Sequence, residues 1–417
     1  MNEAAERYVR LALAVGQHDA DYVDAYYGPP EWKAEAEAAR RPLPEIRARA
    51  ASLEVHLRSL PDPGSEPDRR RRLLLTRQLE ALAARAELLS GRKMSFDEES
   101  RALYDAVAPV HPEEYFRELR SGMEEELPGR GPLARRYEAF RHEFVIPRDR
   151  VDAVFRTAID AAREVTRKNL SLPAGETFAV ESVAGKPWSG YNWYQGGYRS
   201  LIQVNTDLPI SIDRALDLAC HEGYPGHHVH NILREKSLVQ GRGWLEFQIY
   251  PLFSPESLVA EGSANLGVEM AFPGIERIAF ERETLYPLAG LDPSRAEAYR
   301  RVRSIAERLS FAGNEAARRH LNGEIDGRAA AAWLTEYALM PPARAEQRVR
   351  FIQQYRSYVI NYNLGQNLVG AWIESQGGTV DRPARRWELF ERLLSSPVLP
   401  SEMEAASRSR SGPPLDA

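Results

Sequence analysis

The amino-acid sequence predicts a mainly α protein with one small antiparallel β-sheet beside a central, histidine-bearing helix. Apolar residues recur at three- and four-residue spacing up to about residue 170 and again from the histidine cluster to residue 376, the pattern of helices with one buried face. One interval breaks that texture. Between Thr177 and Asn205 the runs TFAVESV, YNWY and YRSLIQVN are β-branched or aromatic, and AGKPWSG and QGG separate them. With 417 residues the chain can bury a large core, and no internal repeat divides it.

Residues 1–145 read as an N-terminal helical region. Within it, PDPGSEPD (61–68) is a turn-rich break, and RRRRLLLTRQLEALAARAELLSG is a long helix stopped by Gly91. The four arginines 69–72 read as a solvated helix end rather than a binding patch. Residues 146–404 form the second region, continuous with the first. It opens on a helix whose buried face is Val151, Val154, Phe155, Ala158 and Ala162, passes through the small sheet, and reaches TDLPISID, where Ser211 or Asp213 is placed to cap the next helix. Residues 405–417, mostly SRSRSGPPLDA, read as a disordered tail.

Composition narrows the partners. Fifty-five basic residues face 60 acidic ones, so no positive field exists to hold nucleic acid. The N-terminus lacks a basic start followed by an apolar run, and no stretch of eighteen apolar residues occurs, so neither export nor a membrane partner is expected. The single cysteine, Cys220, rules out an internal disulfide and reads as a packed thiol. A cytoplasmic location is the expectation.

The chemistry concentrates in HEGYPGHHVH (221–230), which holds four of the nine histidines. His221-Glu222 is the first half of the zinc helix motif HExxH, in which two histidines one turn apart bind the ion and the glutamate activates water. Here Pro225 takes the fourth position and the next histidine, His227, comes six residues on. Proline removes a helix hydrogen bond and clashes with the carbonyl of His221, so the helix must bulge, and Gly223 and Gly226 tolerate the dihedrals a bulge requires. With two residues looped out, His221 and His227 meet at one metal and Glu222 serves as general base. His228 competes as second ligand because seven residues approach two turns, but that places it about 10 Å along the axis; it is otherwise a second-shell residue. Catalytic zinc takes a third protein ligand, and SPESLVAEGSANLGVEM supplies the candidates Glu261 and Glu269 in apolar surroundings, with Asn265 between them in the second shell.

Four motifs in order, VNTDLP, HEGYPGHH, AEGSANLGVE and YNLGQ, spanning about residues 190–370, resemble the domain-of-unknown-function 885 family. That family is similar in fold to the thermostable metallocarboxypeptidases of the Taq type, helical enzymes built around HExGH. The resemblance implies a large helical metallopeptidase-like fold, a gluzincin-like site in which His221, His227 and Glu261 hold one Zn2+ or another divalent ion, and Tyr362 as hydrogen-bond donor to an oxyanion. The sequence departs in having GYP where the carboxypeptidases have one residue, Gly262 and Ala264 in a differently worded glutamate helix, and Gly365 where their YNLH motif has histidine. The expected function is a zinc metallopeptidase, carboxypeptidase-like, acting on a peptide or small amide. A zinc hydrolase of non-peptide amides and an inactive helical binding protein are the alternatives. For the substrate, the strand RSLIQVN, with Arg199, Val204 and Asn205, is expected to pair with an extended peptide, and Arg199, Arg350 or Arg356 to meet a terminal carboxylate.

Overall fold

The computed structural model describes residues 1–186, 188, 190–207 and 209–408, with side chains to residue 406. The chain is mainly helical. Ser65 caps the long helix Glu66–Leu89 by accepting the Asp68 N–H, and the chain leaves it at Gly91 with φ 94°. Four consecutive helical residues point all the way round the axis, so one of the arginines 69–72 must face inward. That one is Arg71. It is 3% exposed, donates through Nε and Nη2 to Glu246 at 2.5 and 2.9 Å, and lies over the Trp244 ring, which corrects the reading of all four as solvated. In the helix Val151–Asn169 the face Val154, Phe155, Ala158 and Ala162 is buried as its period predicts, and Val151 is half-buried.

The small sheet is present, and it is mixed rather than wholly antiparallel. Strands β2 (Thr177–Val183), β3 (Gly190–Gly196) and β4 (Arg199–Asn205) lie in the order β2-β4-β3. Gly197 and Tyr198, both at φ 62°, form the two-residue turn that makes β3 and β4 an antiparallel hairpin. The hairpin inserts β4 beside β2, with Thr177 opposite Arg199 and Val183 opposite Asn205, and that pair is parallel. A second, two-stranded ribbon joins β1 (Val23–Tyr26) to β5 (Ile249–Pro251) and ties the N-terminal region to the segment after the histidines.

One apolar core runs from Ala4 to Met403 and draws on both regions. Its axis is the helix Pro255–Ala271, on which every residue is buried except half-buried Asn265 and exposed Glu269. It crosses the helix Ile360–Ser375 with backbones in contact: a Cβ on Gly262 would lie 2.3 Å from the Gly365 carbonyl carbon, and one on Gly365 would lie 2.7 Å from the Leu258 oxygen. Only glycine permits that approach. The last helix, Pro400–Arg408, runs through 405–408, which the sequence assigned to the tail; residues 409–417 lie outside the described residues. No described helix is long and apolar enough to cross a membrane.

The crossing predicts opposite outcomes for two glycines of one helix. Gly365→Ala meets backbone and should destabilise the protein by about 1–3 kcal/mol. Gly370→Ala would find only Leu266 Cδ1, at 3.7 Å, and should be neutral or stabilising by up to about 1 kcal/mol through helix propensity. Urea unfolding of the two variants measures both; equal effects would show that the close crossing does not govern stability.

Candidate metal centre

The motif helix begins at Ile212, after Ser211 in the N-cap position, where the Ser211 hydroxyl bonds the Asp213 carboxylate instead of capping a backbone N–H. From Ala219 to Gly223 it widens into a π-turn: the Tyr224 N–H reaches the Ala219 carbonyl at 3.1 Å, and the Gly226 N–H reaches Cys220 at 2.9 Å. The chain breaks over 224–226 and re-enters a helix at His227–Arg234. Gly226 makes this possible, since a Cβ there would lie 2.0 Å from the His221 oxygen and 2.4 Å from that of Cys220. The detour sets the His221 and His227 rings edge to face with centroids 4.6 Å apart and Nε2 atoms 3.1 Å apart. Within 221–230 these two alone are half-buried rather than buried, their side chains 13% and 14% exposed.

Glu261 meets them from the buried helix. Its Oε2 lies 3.5 Å from His221 Nε2, and its Oε1 lies 3.6 Å from His227 Nε2. Tyr358, on the turn before the helix Ile360–Ser375, donates its hydroxyl to Oε1 at 2.9 Å, whereas Oε2 is buried and has no hydrogen-bond partner among the described residues. Glu222, next to His221, is buried too. Its backbone oxygen accepts from Asn192 at 2.7 Å, and its carboxylate has no hydrogen bond or ion pair among the described residues. That carboxylate packs on Gly190, the first residue of β3, where a Cβ would lie 2.9 Å from Oε1.

Burial dominates the electrostatics. It pushes Glu261 up to about 7 against the Tyr358 hydrogen bond, and Glu222 up to about 8 with the charge of Glu261 adding to the rise. It drives His227 down to about 4, and His221 well below the ordinary range, where His227 and Arg214 lower it further. Both imidazoles are thus neutral and able to donate lone pairs. The ligand atoms of a tetrahedral zinc with bonds of about 2.0–2.2 Å stand roughly 3.3–3.6 Å apart; here the ring nitrogens lie 3.1 Å from each other, His221 and His227 face different oxygens of Glu261 at 3.5 and 3.6 Å, and one ligand atom from each residue lies within 4.8 Å of the others. Two neutral nitrogens and one carboxylate, whose buried Oε2 has no hydrogen-bond partner among the described residues, are a donor set that fits such an ion.

Other expected site residues lie elsewhere. His228 is fully buried, with Nδ1 against the Ser200 hydroxyl at 2.8 Å and Nε2 against Glu176 at 3.0 Å, so both nitrogens are committed away from the pair. Asn265 bonds the Tyr362 carbonyl at 3.1 Å, and its side chain also interacts with the His221 ring. Glu269 is exposed and bonds Gln366, because eight residues along a helix leave about 80° of rotation between it and Glu261. Tyr362 packs edge to face on Tyr358, and its hydroxyl shares the field of Glu261 and Glu222.

The expected substrate strand is also corrected. β4 is the central strand, paired on both sides, and has no edge for a peptide. Val204 is buried, and Asn205 is spent on the Lys186 and Trp188 carbonyls. Gly190, against Glu222, pairs with Val204, so Arg199 sits at the other end of β4, about 17 Å away at the usual strand rise. Arg350 is exposed, and Arg356 is held by Glu99 at 2.6 Å. Two residues before Arg350, on the opposite face of the helix Pro342–Tyr355, Arg348 is the cation that interacts with Tyr362. Its Nε is buried without a partner, and no carboxylate pairs with it among the described residues. The arginine-rich run RAEQRVR gave no sign of which member faces inward. Tyr358 and Glu176 were missed for the same reason, as tyrosines are common in helix cores and nothing in LPAGETF marks a buried acid.

No family model matches the chain, and no curated protein matches it. Among solved structures it is similar to a candidate lipoprotein of Colwellia psychrerythraea, at 14% identity and a TM-score of 0.51 over 87% of this chain and 65% of that one. A candidate lipoprotein of unknown function from Shewanella oneidensis gives 14%, 0.49, 92% and 79% in the same order. Trypanosoma cruzi metallocarboxypeptidase 1 gives 14%, 0.41, 99% and 95%. The chain spans 65% of the length of the Colwellia protein, and that likeness speaks to the mainly helical fold alone.

If the bulge places His227, its glycine is indispensable. Gly226→Ala should cost about 3 kcal/mol or more in urea unfolding, at the upper end for overpacking. It should also abolish zinc uptake in equilibrium dialysis; a stable variant that binds zinc normally would show that the turn is tolerant.

Proposed function

We infer that the chain is a zinc-dependent peptidase that removes residues from the carboxyl end of peptides. The reading rests on one convergence: two neutral imidazoles and an unanswered carboxylate oxygen meet beside Glu222, a second buried carboxylate without a partner. The resemblance of four motifs to the domain-of-unknown-function 885 family, and through it to Taq-type carboxypeptidases, supports the same reaction.

When bound, the zinc ion supplies a Lewis acid and a water of lowered pKa. The chain does the rest. Glu222 takes a proton from the attacking water and delivers it to the leaving amine, and Gly190 keeps the space beside its carboxylate open. Tyr358 fixes the orientation of Glu261 through Oε1. Tyr362, whose phenol is kept protonated by burial and by the nearby carboxylates, donates a hydrogen bond to the oxyanion. The peptide main chain runs along β3, the edge strand whose first residue touches Glu222, and Arg348 receives the terminal carboxylate.

Two variants test this reading. Glu222→Gln keeps the size of the side chain and loses its basicity, so it should retain about one zinc per chain while kcat falls at least 10²-fold, the lower end for a lost general base. Undiminished hydrolysis with metal retained would assign the base elsewhere, and loss of metal would make Glu222 a ligand. Arg348→Gln should raise KM about 10-fold or more for peptides with a free terminal carboxylate, the scale of a lost charged hydrogen bond, and leave C-terminally amidated peptides unaffected. Wild-type cleavage of amidated and free peptides at equal rates would remove the carboxyl-end assignment, and cleavage of non-peptide amides alone would move the activity outside peptidases.

A further inference from the structure

Directly behind the metal centre lies a second polar cluster, and Glu176 is its hub. Its Oε1 accepts from Arg163 and Arg167 at 3.0 and 2.6 Å; its Oε2 accepts the Tyr224 hydroxyl and lies 3.0 Å from His228 Nε2. Tyr224 is the first residue after the π-turn, and His228 directly follows His227. One carboxylate oxygen therefore grips both ends of the segment that carries His227. Ser200, on the central strand, pins the other ring nitrogen of His228, and the Phe178 ring packs on both grips, with centroids 5.3 Å from Tyr224 and 5.1 Å from His228.

Ser200, His228 and Glu176 are residue types that elsewhere form a nucleophilic array. Here they are 4%, 0% and 3% exposed, so no substrate reaches the serine and the array can only position. We propose that Glu176 is the positioning residue of the metal centre: by clamping Tyr224 and His228 it fixes the looped-out turn 224–226 and so sets where His227 stands relative to His221. The proposal rests on the metal reading above, because its consequence is metal affinity.

The test uses the full chain with zinc and cobalt(II) as probes. Zinc dissociation constants come from chelator competition, cobalt(II) coordination from visible absorption, and the Tm of the metal-free protein is measured separately. Glu176→Gln should weaken zinc binding about 10-fold or more, the scale for residues that orient metal ligands, and alter the cobalt spectrum. Tyr224→Phe, which removes one hydroxyl, should do the same to a smaller degree. A merely structural Glu176 would lower Tm and leave both metal readouts at wild-type values in the folded variants, which overturns the proposal alone. If Glu176→Gln does not fold, Tyr224→Phe decides by the same comparison. A wild-type protein that takes up neither ion overturns the metal reading and this one with it.

Discussion

A carboxylate removed from water has to be answered by hydrogen bonds or positive charge, and Glu261 imposes that demand on the centre of the molecule. Its helix is buried at this level apart from half-buried Asn265, and the side chain of Glu261 keeps only 11% exposure. Tyr358 answers one oxygen, and no hydrogen bond from the described residues answers the other. The same burial that raises Glu261 and Glu222 holds both histidines neutral, so four groups are tuned by one desolvated volume. A divalent cation would answer this conflict at once. The bulge, the crossing of the two glycine-bearing helices and the strand beside Glu222 each serve to bring a group to that place.

The crossing is what connects acid and phenol. With Gly262 and Gly365 in backbone contact, the turn that precedes the helix Ile360–Ser375 is drawn against the glutamate helix, and Tyr358 reaches Glu261. Glu99 secures that turn from outside by accepting from the Arg356 guanidinium and from both the N–H and hydroxyl of Ser357. Glycine at 365, where the carboxypeptidase motif carries histidine, is thereby a packing requirement of this chain.

Legibility followed the range of the physics. Helical faces such as that of 151–162 are written in local periodicity, and the looped-out turn was readable because the proline clash and glycine freedom act within a few residues. The choice between Glu261 and Glu269 was not readable from spacing, since burial around the helix decides it and depends on neighbours distant in sequence. Strand order is equally non-local: three β-runs read as a small antiparallel sheet, and only the hairpin's insertion beside β2 made the last run central. Arg71, Arg348 and Glu176 share that origin, each a charged residue in an unremarkable string whose inward orientation is set by tertiary packing.

The turn at 224–226 has a consequence for how such sites are recognised. Because the chain leaves the helix over 224–226 and re-enters one at His227, the two rings face each other with centroids 4.6 Å apart although His227 comes six residues after His221. What the turn fixes is a separation of 3.1 Å between two ring nitrogens, not a number of residues. A pattern written as a fixed count of letters passes over this chain, whereas a rule written as two ring nitrogens and a carboxylate at mutual contact distance finds it whatever the length of the detour.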